Sequence, residues 1–363
     1  MNIYWSIMFF EVIAGIIVAA VRKPGTLYYI IVATTITVFA GLRYKTGYDY
    51  DAYVEMFYSI NSNFPPESIE IGWLTINKVV YWFGGDSQAV FFVSSLFVYG
   101  LIFWALHREV GPSLWAILAF LIGIDFFWGS VAIIRQYMAI ALFLVAVTYY
   151  LNNDRVRFFA FNTLALAFHT TAIIGFLVPV LAAVDVGVMV VGLLAATVLG
   201  SQYSLTDLVN IEAFKKYEDY VNGSYLNSAG GLNSGLVLYL RLLVAAALVY
   251  TVYTIDSAQH KKFATVSRLL IFGYFLYYIF SDSEAVRRAA YYYTCMELVV
   301  IGYITNNIKT TRSALMRTVS IITITGYYMF YTLVLFKDVI WNPGGESSVS
   351  LYNYRFMTIF DAM

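Results

Sequence analysis

Ionisable side chains inside apolar runs are costly, so the few that this chain keeps there are the first place to look for chemistry. Six stand in such runs: Glu11, Asp125, Arg135, His169, Arg241 and Glu297. Arg43, Arg287 and Arg288 border others. A guanidinium presents a planar fork of donors that matches two oxygens of a phosphate at once. A histidine can take or give a proton near neutral pH. Several arginines with one histidine therefore point to a phosphorylated anion and a proton transfer beside it. Each residue also has a plainer reading. Arg43 and Arg241 can snorkel to a membrane interface, Arg287 and Arg288 can pair with Asp282 and Glu284, and His169 can bond a backbone carbonyl at a helix break.

The elements that hold these residues are membrane helices. Of 363 residues, 61% are hydrophobic and 12% charged, with a mean hydropathy of +0.72. Soluble domains carry roughly 25% charged residues, and too little polar surface is left here to face water. The charge balance is neutral, 22 basic against 22 acidic residues, so no field invites nucleic acid. One cysteine, Cys295, excludes a disulfide framework and a thiolate zinc site. Tyrosine (32) and phenylalanine (28) are abundant enough for interfacial belts and for stacking on sugar faces.

With about 20 apolar residues per span, candidates are 2–21, 26–42, 87–106, 113–129, 130–151, 236–255, 267–281, 289–306 and 318–337. The run 158–200 is interrupted at His169, Pro179 and Asp185, and 70–83 is short enough to be re-entrant or interfacial. The basic pair Arg22 and Lys23 follows the first run, the reverse of a signal peptide, so 2–21 reads as an uncleaved span. Short basic loops at Arg108, Arg155/Arg157, Lys261/Lys262 and Lys309/Arg312/Arg317 belong in the cytoplasm. Loops 43–69 and 201–235 and the tail 338–363 then face outward. Parity requires three short or broken crossings within 158–200. The expected fold is an all-α polytopic membrane protein, one transmembrane domain over 1–363 with about 12 crossings, some of them short or broken. A second arrangement makes 70–83 a full crossing and turns the Arg108 and Arg155 loops outward.

In the first arrangement Arg43, Arg135, Arg241, Arg287, Arg288 and His169 all fall on the outer half of the membrane, against the usual placement of positive charge. An arginine cluster at headgroup depth suits a polyprenyl diphosphate, with its tail in lipid and its charge at the interface.

Four motifs then make the chain recognisable. Gly41-Leu42-Arg43-Tyr44-Lys45-Thr46-Gly47-Tyr48-Asp49-Tyr50-Asp51-Ala52-Tyr53 resembles the G-x-R-x-x-x-G-x-D-Y-x-x-Y signature of EpsG-type, Wzy-like polysaccharide polymerases. Glu70-Ile71-Gly72-Trp73 resembles that family's E-x-G-[FW], Arg135-Gln136-Tyr137-Met138-Ala139 its R-Q-x-x-A, and Phe168-His169-Thr170-Thr171-Ala172 its F-H-x-[ST]-A. Arg288 and the tyrosines after it resemble a later arginine element. The chain departs from the family at Tyr48, where relatives often carry Thr. The resemblance implies a GT-C-like glycosyltransferase on the outer side of the bacterial cytoplasmic membrane. It would move a glycan from one undecaprenyl diphosphate onto the non-reducing end of another lipid-linked repeat unit. A flippase would supply substrate and a Wzz-like partner would regulate length.

On this reading Arg135 and Arg288 bind the diphosphate, with Arg43, Arg241 and Arg287 as further contacts. Tyr50 and Glu70 line the substrate. Either His169 or Asp49 takes the acceptor proton, the other binding phosphate or positioning the loop. No spacing among Asp49, Asp51, Asp282 and Glu284 reads as a cation site, so no metal and no cofactor are expected. The rivals are a transporter or flippase for lipid-linked sugar, which shares broken helices and buried cations, and a ligase or single-unit transferase on the same scaffold.

Overall fold

A backbone in lipid must satisfy its own N–H and C=O groups, and the apolar runs of this chain do so as helices. The computed structural model describes residues 25–47, 49–62, 69–202, 235–254, 260–280, 288–306 and 355–356. The expected spans 2–21 and 318–337, most of loop 201–235, the tail 338–363 apart from its strand pair, Tyr48 and Arg287 lie outside the described residues. The chain divides into two compact units, Met1–Ile173 with Tyr328–Met363, and Ile174–Tyr327.

The first unit runs α1 (Thr26–Gly41), β1 (Arg43–Tyr44), α2 (Tyr50–Ile60), α3 (Ile71–Trp82), α4 (Ser87–Val110) and α5 (Leu114–Ile122). After these come a π-helical turn (Ile124–Trp128), α6 (Gly129–Ala132), α7 (Ile134–Leu151) and α8 (Arg155–Leu166). β1 pairs antiparallel with β2 (Arg355–Phe356), Arg43 opposite Phe356. Among the described residues α4 and α7 are the two helices long and apolar enough to cross a membrane alone. Asp86 caps α4, Ser113 caps α5 and Asp154 caps α8, each accepting from a backbone N–H three residues on. α7 is the centre of the unit: 94% of its apolar window is buried, against 56% for α4. A helix apolar all round belongs inside.

Three features depart from a plain series of spans. The segment 43–69 is not all loop. It contains α2, whose Tyr50, Tyr53, Phe57 and Ile60 recur at helical spacing and are buried. The expected span 113–129 is bent by 58° between Leu114–Leu121 and Phe126–Ala132. The bend is at Gly123, where a Cβ would meet the Phe126 ring and the Ala119 carbonyl oxygen. The next helix starts at Ile134 rather than 130, because Ile133 leaves the helical region at φ −110°, ψ 64°. The run from 158 is broken near His169, as its polar interruptions require. α8 stops at Leu166 and a 3-10 helix (Thr170–Leu177) takes over.

The second unit continues with α9 (Val178–Leu181), α10 (Val186–Gln202), α11 (Gly235–Thr254) and α12 (His260–Ile279). A 3-10 turn (Arg288–Ala290), α13 (Tyr291–Thr294) and α14 (Met296–Asn306) follow. α12 packs against α9, α10, α11, α13 and α14. The expected span 289–306 is thus a broken one, and the Tyr293 hydroxyl donates to the Ile174 carbonyl at 2.6 Å.

Candidate functional site

Arg135 sits in the first turn of α7, directly after the break at Ile133. The first backbone N–H groups of a helix have no partner within it and favour negative charge, so this position already suits an anion. The Arg135 Nη1 donates to Glu70 Oε2 at 2.6 Å. The Glu70 side chain is 7% exposed and that of Arg135 is 25% exposed, so the pair is sheltered with one flank of the arginine open. Glu70 is the residue before α3 but makes no capping bond there; its carboxylate is turned to Arg135 instead. The buried Nε of Arg135 has no hydrogen-bond partner among the described residues.

Tyr53 completes the hold on Arg135. Its hydroxyl is within hydrogen-bond reach of both the backbone N–H and the guanidinium of Arg135. Its ring packs on Trp73 at 5.2 Å, and Trp73 in turn donates to Met56 Sδ at 3.1 Å. Burial pushes the Tyr53 phenol above its ordinary pKa, Arg135 pulls it back, and the Asp49 carboxylate one helical turn earlier pushes it up again. Asp49, Tyr53, Glu70 and Arg135 therefore share one electrostatic neighbourhood.

Gly72 brings His169 toward that neighbourhood. Its N–H donates to the Ala167 carbonyl at 2.6 Å, at the end of α8. A Cβ on residue 72 would lie 2.7 Å from that oxygen and 2.9 Å from the Phe168 ring, so the approach requires glycine. Within three residues, then, Glu70 engages Arg135 and Gly72 engages the backbone just before His169. His169 is half-buried, its Nδ1 2.7 Å from Thr171 Oγ1 and 3.3 Å from the Thr171 backbone N, which donates to it.

The other expected site residues have contacts of their own. Arg43 is 1% exposed; its Nη1 donates to the Ala40 carbonyl at the end of α1 and its guanidinium lies 4.6 Å over the Phe91 ring. Tyr50 stacks on that same ring at 4.8 Å. Both side chains thus fix the start of the motif segment to α1 and α4. In the second unit Arg241 is buried, with its guanidinium 3.8 Å over Tyr277, and Tyr274 donates to Glu297 Oε1 at 2.5 Å. Arg288 opens its 3-10 turn and is half-buried. Among the described residues no three of His, Cys, Asp and Glu come together as a metal site.

The sequence pointed to Tyr50 where the structure gives Tyr53 the contact with Arg135. The available signal was the second tyrosine of the motif, three residues on at helical spacing. Thr171 was equally visible as part of its motif, but nothing local marked it as the partner of His169. The EpsG family model matches residues 26–356. The chain belongs to the EpsG family. All four motifs lie inside the matched residues, and the EpsG assignment makes this a polysaccharide-polymerase-like membrane protein. No curated protein and no solved structure matches the chain.

Proposed function

We propose that this EpsG-family protein is a repeat-unit polymerase. It transfers a glycan from one undecaprenyl diphosphate onto the non-reducing end of a second lipid-linked unit, on the outer side of the bacterial cytoplasmic membrane. The observation that carries this reading is Arg135, held at a helix N-terminus by Glu70 and Tyr53 with its Nε unused and one flank open. Such a group neutralises charge that develops on a departing diphosphate, and it is aimed before the reaction begins.

In the reaction an acceptor hydroxyl oxygen attacks the anomeric carbon. The bond from that carbon to the diphosphate breaks, and its electron pair leaves with the diphosphate. The hydroxyl proton passes to a base, Asp49 or His169. Arg241, Arg287 and Arg288 keep in this reading the role of further phosphate or sugar contacts that the family resemblance implies, and Arg43 secures the motif segment. The whole chain works as one GT-C-like transmembrane domain of about 12 crossings, with loops 43–69 and 201–235 and the tail 338–363 outside. A flippase delivers its substrate and a Wzz-like protein sets product length.

The test is the polymer ladder of cells that carry the wild-type protein or a variant at normal membrane levels. An ammonium does not replace a bidentate guanidinium. Arg135→Lys therefore loses most of the ladder and Arg135→Ala all of it, the product stopping at one repeat unit. A full ladder from Arg135→Ala would overturn the assignment, and a wild-type protein that moves lipid-linked units without joining them would be a transporter.

A further inference from the structure

Among the described residues, the two helices long enough to span a membrane meet at their C-terminal ends. The Trp104 and Tyr149 rings lie 6.0 Å apart, and Asn152, just past α7, donates to Glu109 in the last turn of α4 at 3.0 Å. α8 starts at Arg155 and folds back along α7, with Phe161 stacked on Tyr149 at 5.3 Å. Three arginines gather here: Arg108 from α4, and Arg155 and Arg157 from α8. Each guanidinium lies over a ring. Arg108 is 5.2 Å from Trp104 and 5.1 Å from Tyr149, Arg157 is 5.3 Å from Tyr149, and Arg155 is 3.6 Å from Tyr150. All three residues are exposed. Stacking occupies the flat face of a guanidinium and leaves its N–H edge for an anion. The protein supplies little of that anion. Arg157 pairs with Asp154 at 3.4 Å, while Arg108 and Arg155 pair with no carboxylate among the described residues. Glu109 is buried and accepts from Asn152. The end of α4 favours a cation through the helix dipole, but the first turn of α8, where Arg155 and Arg157 stand, favours negative charge. Cations placed there, two guanidiniums to one ring, repel one another unless an anion joins them.

The outer face of α4 indicates what carries that anion. Phe92, Leu96, Gly100, Trp104 and Arg108 are exposed and recur every fourth residue, a ridge that winds along the span. The ridge is apolar as far as Trp104 and ends on Arg108. Acyl chains lying along it bring their phosphate to the three arginines. Aromatic rings at headgroup level with basic side chains beyond them suit the surface of an anionic leaflet. We propose that this end of α4, α7 and α8 binds the phosphodiester of an anionic glycerophospholipid. Arg108 and Arg157 around Tyr149, and Arg155 over Tyr150, are its donors. Three exposed guanidiniums spread over neighbouring rings fit a headgroup at a flat surface, not a phosphate enclosed in a pocket. The site is separate from that of Arg135, which opens α7: Tyr149 lies near the other end of the helix, about 21 Å away at 1.5 Å per residue. It therefore does not depend on the polymerase reading. Its role is to anchor the paired ends of the two spanning helices to a charged leaflet.

The test titrates the purified full chain in detergent with phosphatidylglycerol and, separately, with zwitterionic phosphatidylcholine, and reads bound lipid by native mass spectrometry. Wild type should prefer phosphatidylglycerol about thirtyfold, each of the two arginine charges not offset by Asp154 contributing about fivefold. The variant Arg108→Gln/Arg155→Gln/Arg157→Gln should lose that preference and bind phosphatidylcholine as before. An unchanged preference in the variant would overturn the proposal. So would a wild-type site that takes undecaprenyl phosphate in preference to phosphatidylglycerol, or one from which millimolar inorganic phosphate displaces the lipid, since the ligand would then be the carrier or a free anion. A second measurement needs no substitution and decides the matter if the variant loses both lipids together through a disturbed fold. In phosphatidylcholine nanodiscs, added phosphatidylglycerol should raise the unfolding temperature of the wild-type chain, and high salt should remove the gain. No rise, or a rise that salt leaves intact, would refute the headgroup site.

Discussion

Replacing Gly72 by alanine should damage this protein, although the same change inside an ordinary helix stabilises by about 1 kcal/mol. The new Cβ would stand 2.7 Å from the Ala167 carbonyl oxygen and 2.9 Å from the Phe168 ring. Carbon contacts are comfortable at about 3.5 Å, so α3 must retreat by roughly 0.7 Å. That retreat stretches the 2.6 Å bond from the Gly72 N–H to Ala167 to about 3.3 Å, past the favourable range. Overpacking of this kind costs about 1–3 kcal/mol, and weakening a buried hydrogen bond adds about 1 kcal/mol. Set against the ordinary gain, the net loss is about 1–3 kcal/mol. Glu70, two residues earlier, moves with α3, so its 2.6 Å bond to Arg135 opens too. The expected outcome is a lower unfolding temperature in detergent together with a shortened ladder. Because the activity loss runs through Glu70, adding Gly72→Ala to Glu70→Gln should cost little further activity while still lowering stability. A Gly72→Ala protein as stable as wild type with a full ladder would refute the close approach of α3 to α8 and the link it provides.

Other outcomes follow from the same geometry. Tyr53→Phe removes a neutral hydroxyl bonded to a charged group, worth roughly 1.5–3 kcal/mol, and should slow single-turnover transfer about ten- to a hundredfold. Since burial raises the Tyr53 phenol above its ordinary value, it stays protonated through the neutral range, so the substitution should leave the pH profile there unmoved; a shifted inflection would mean that Tyr53 titrates in the reaction. In a Cys295→Ser background, a cysteine at Ser228 should react with an impermeant maleimide in intact cells and one at Asn153 should not. Labelling at Asn153 would favour the arrangement with 70–83 as a full crossing. With arginines carrying the phosphate charge, chelation of divalent ions should leave the ladder intact in a membrane assay; a magnesium requirement would overturn that.

The sequence by itself determined the environment and the parts. Apolar runs too long and too poor in charge for a soluble fold must become helices in lipid, and the pattern is local enough to read directly. The break near His169 was legible for the same reason, since a polar residue interrupting an apolar run marks where a helix cannot continue cheaply. The family motifs were legible as strings of residues. Which of them meet was not. Glu70 and Arg135 are 65 residues apart, and their bond exists because α2 and α3 pack on α4, which in turn packs on α7. Arg43 read as an outward cation, yet its guanidinium is turned into the packing between Ala40 and Phe91. Composition says that a charge inside an apolar run must find a partner, because leaving it unpaired costs several kcal/mol. Only the packing of helices distant in sequence decides which partner it finds, and therefore which arginine is buried in the packing and which keeps an open flank.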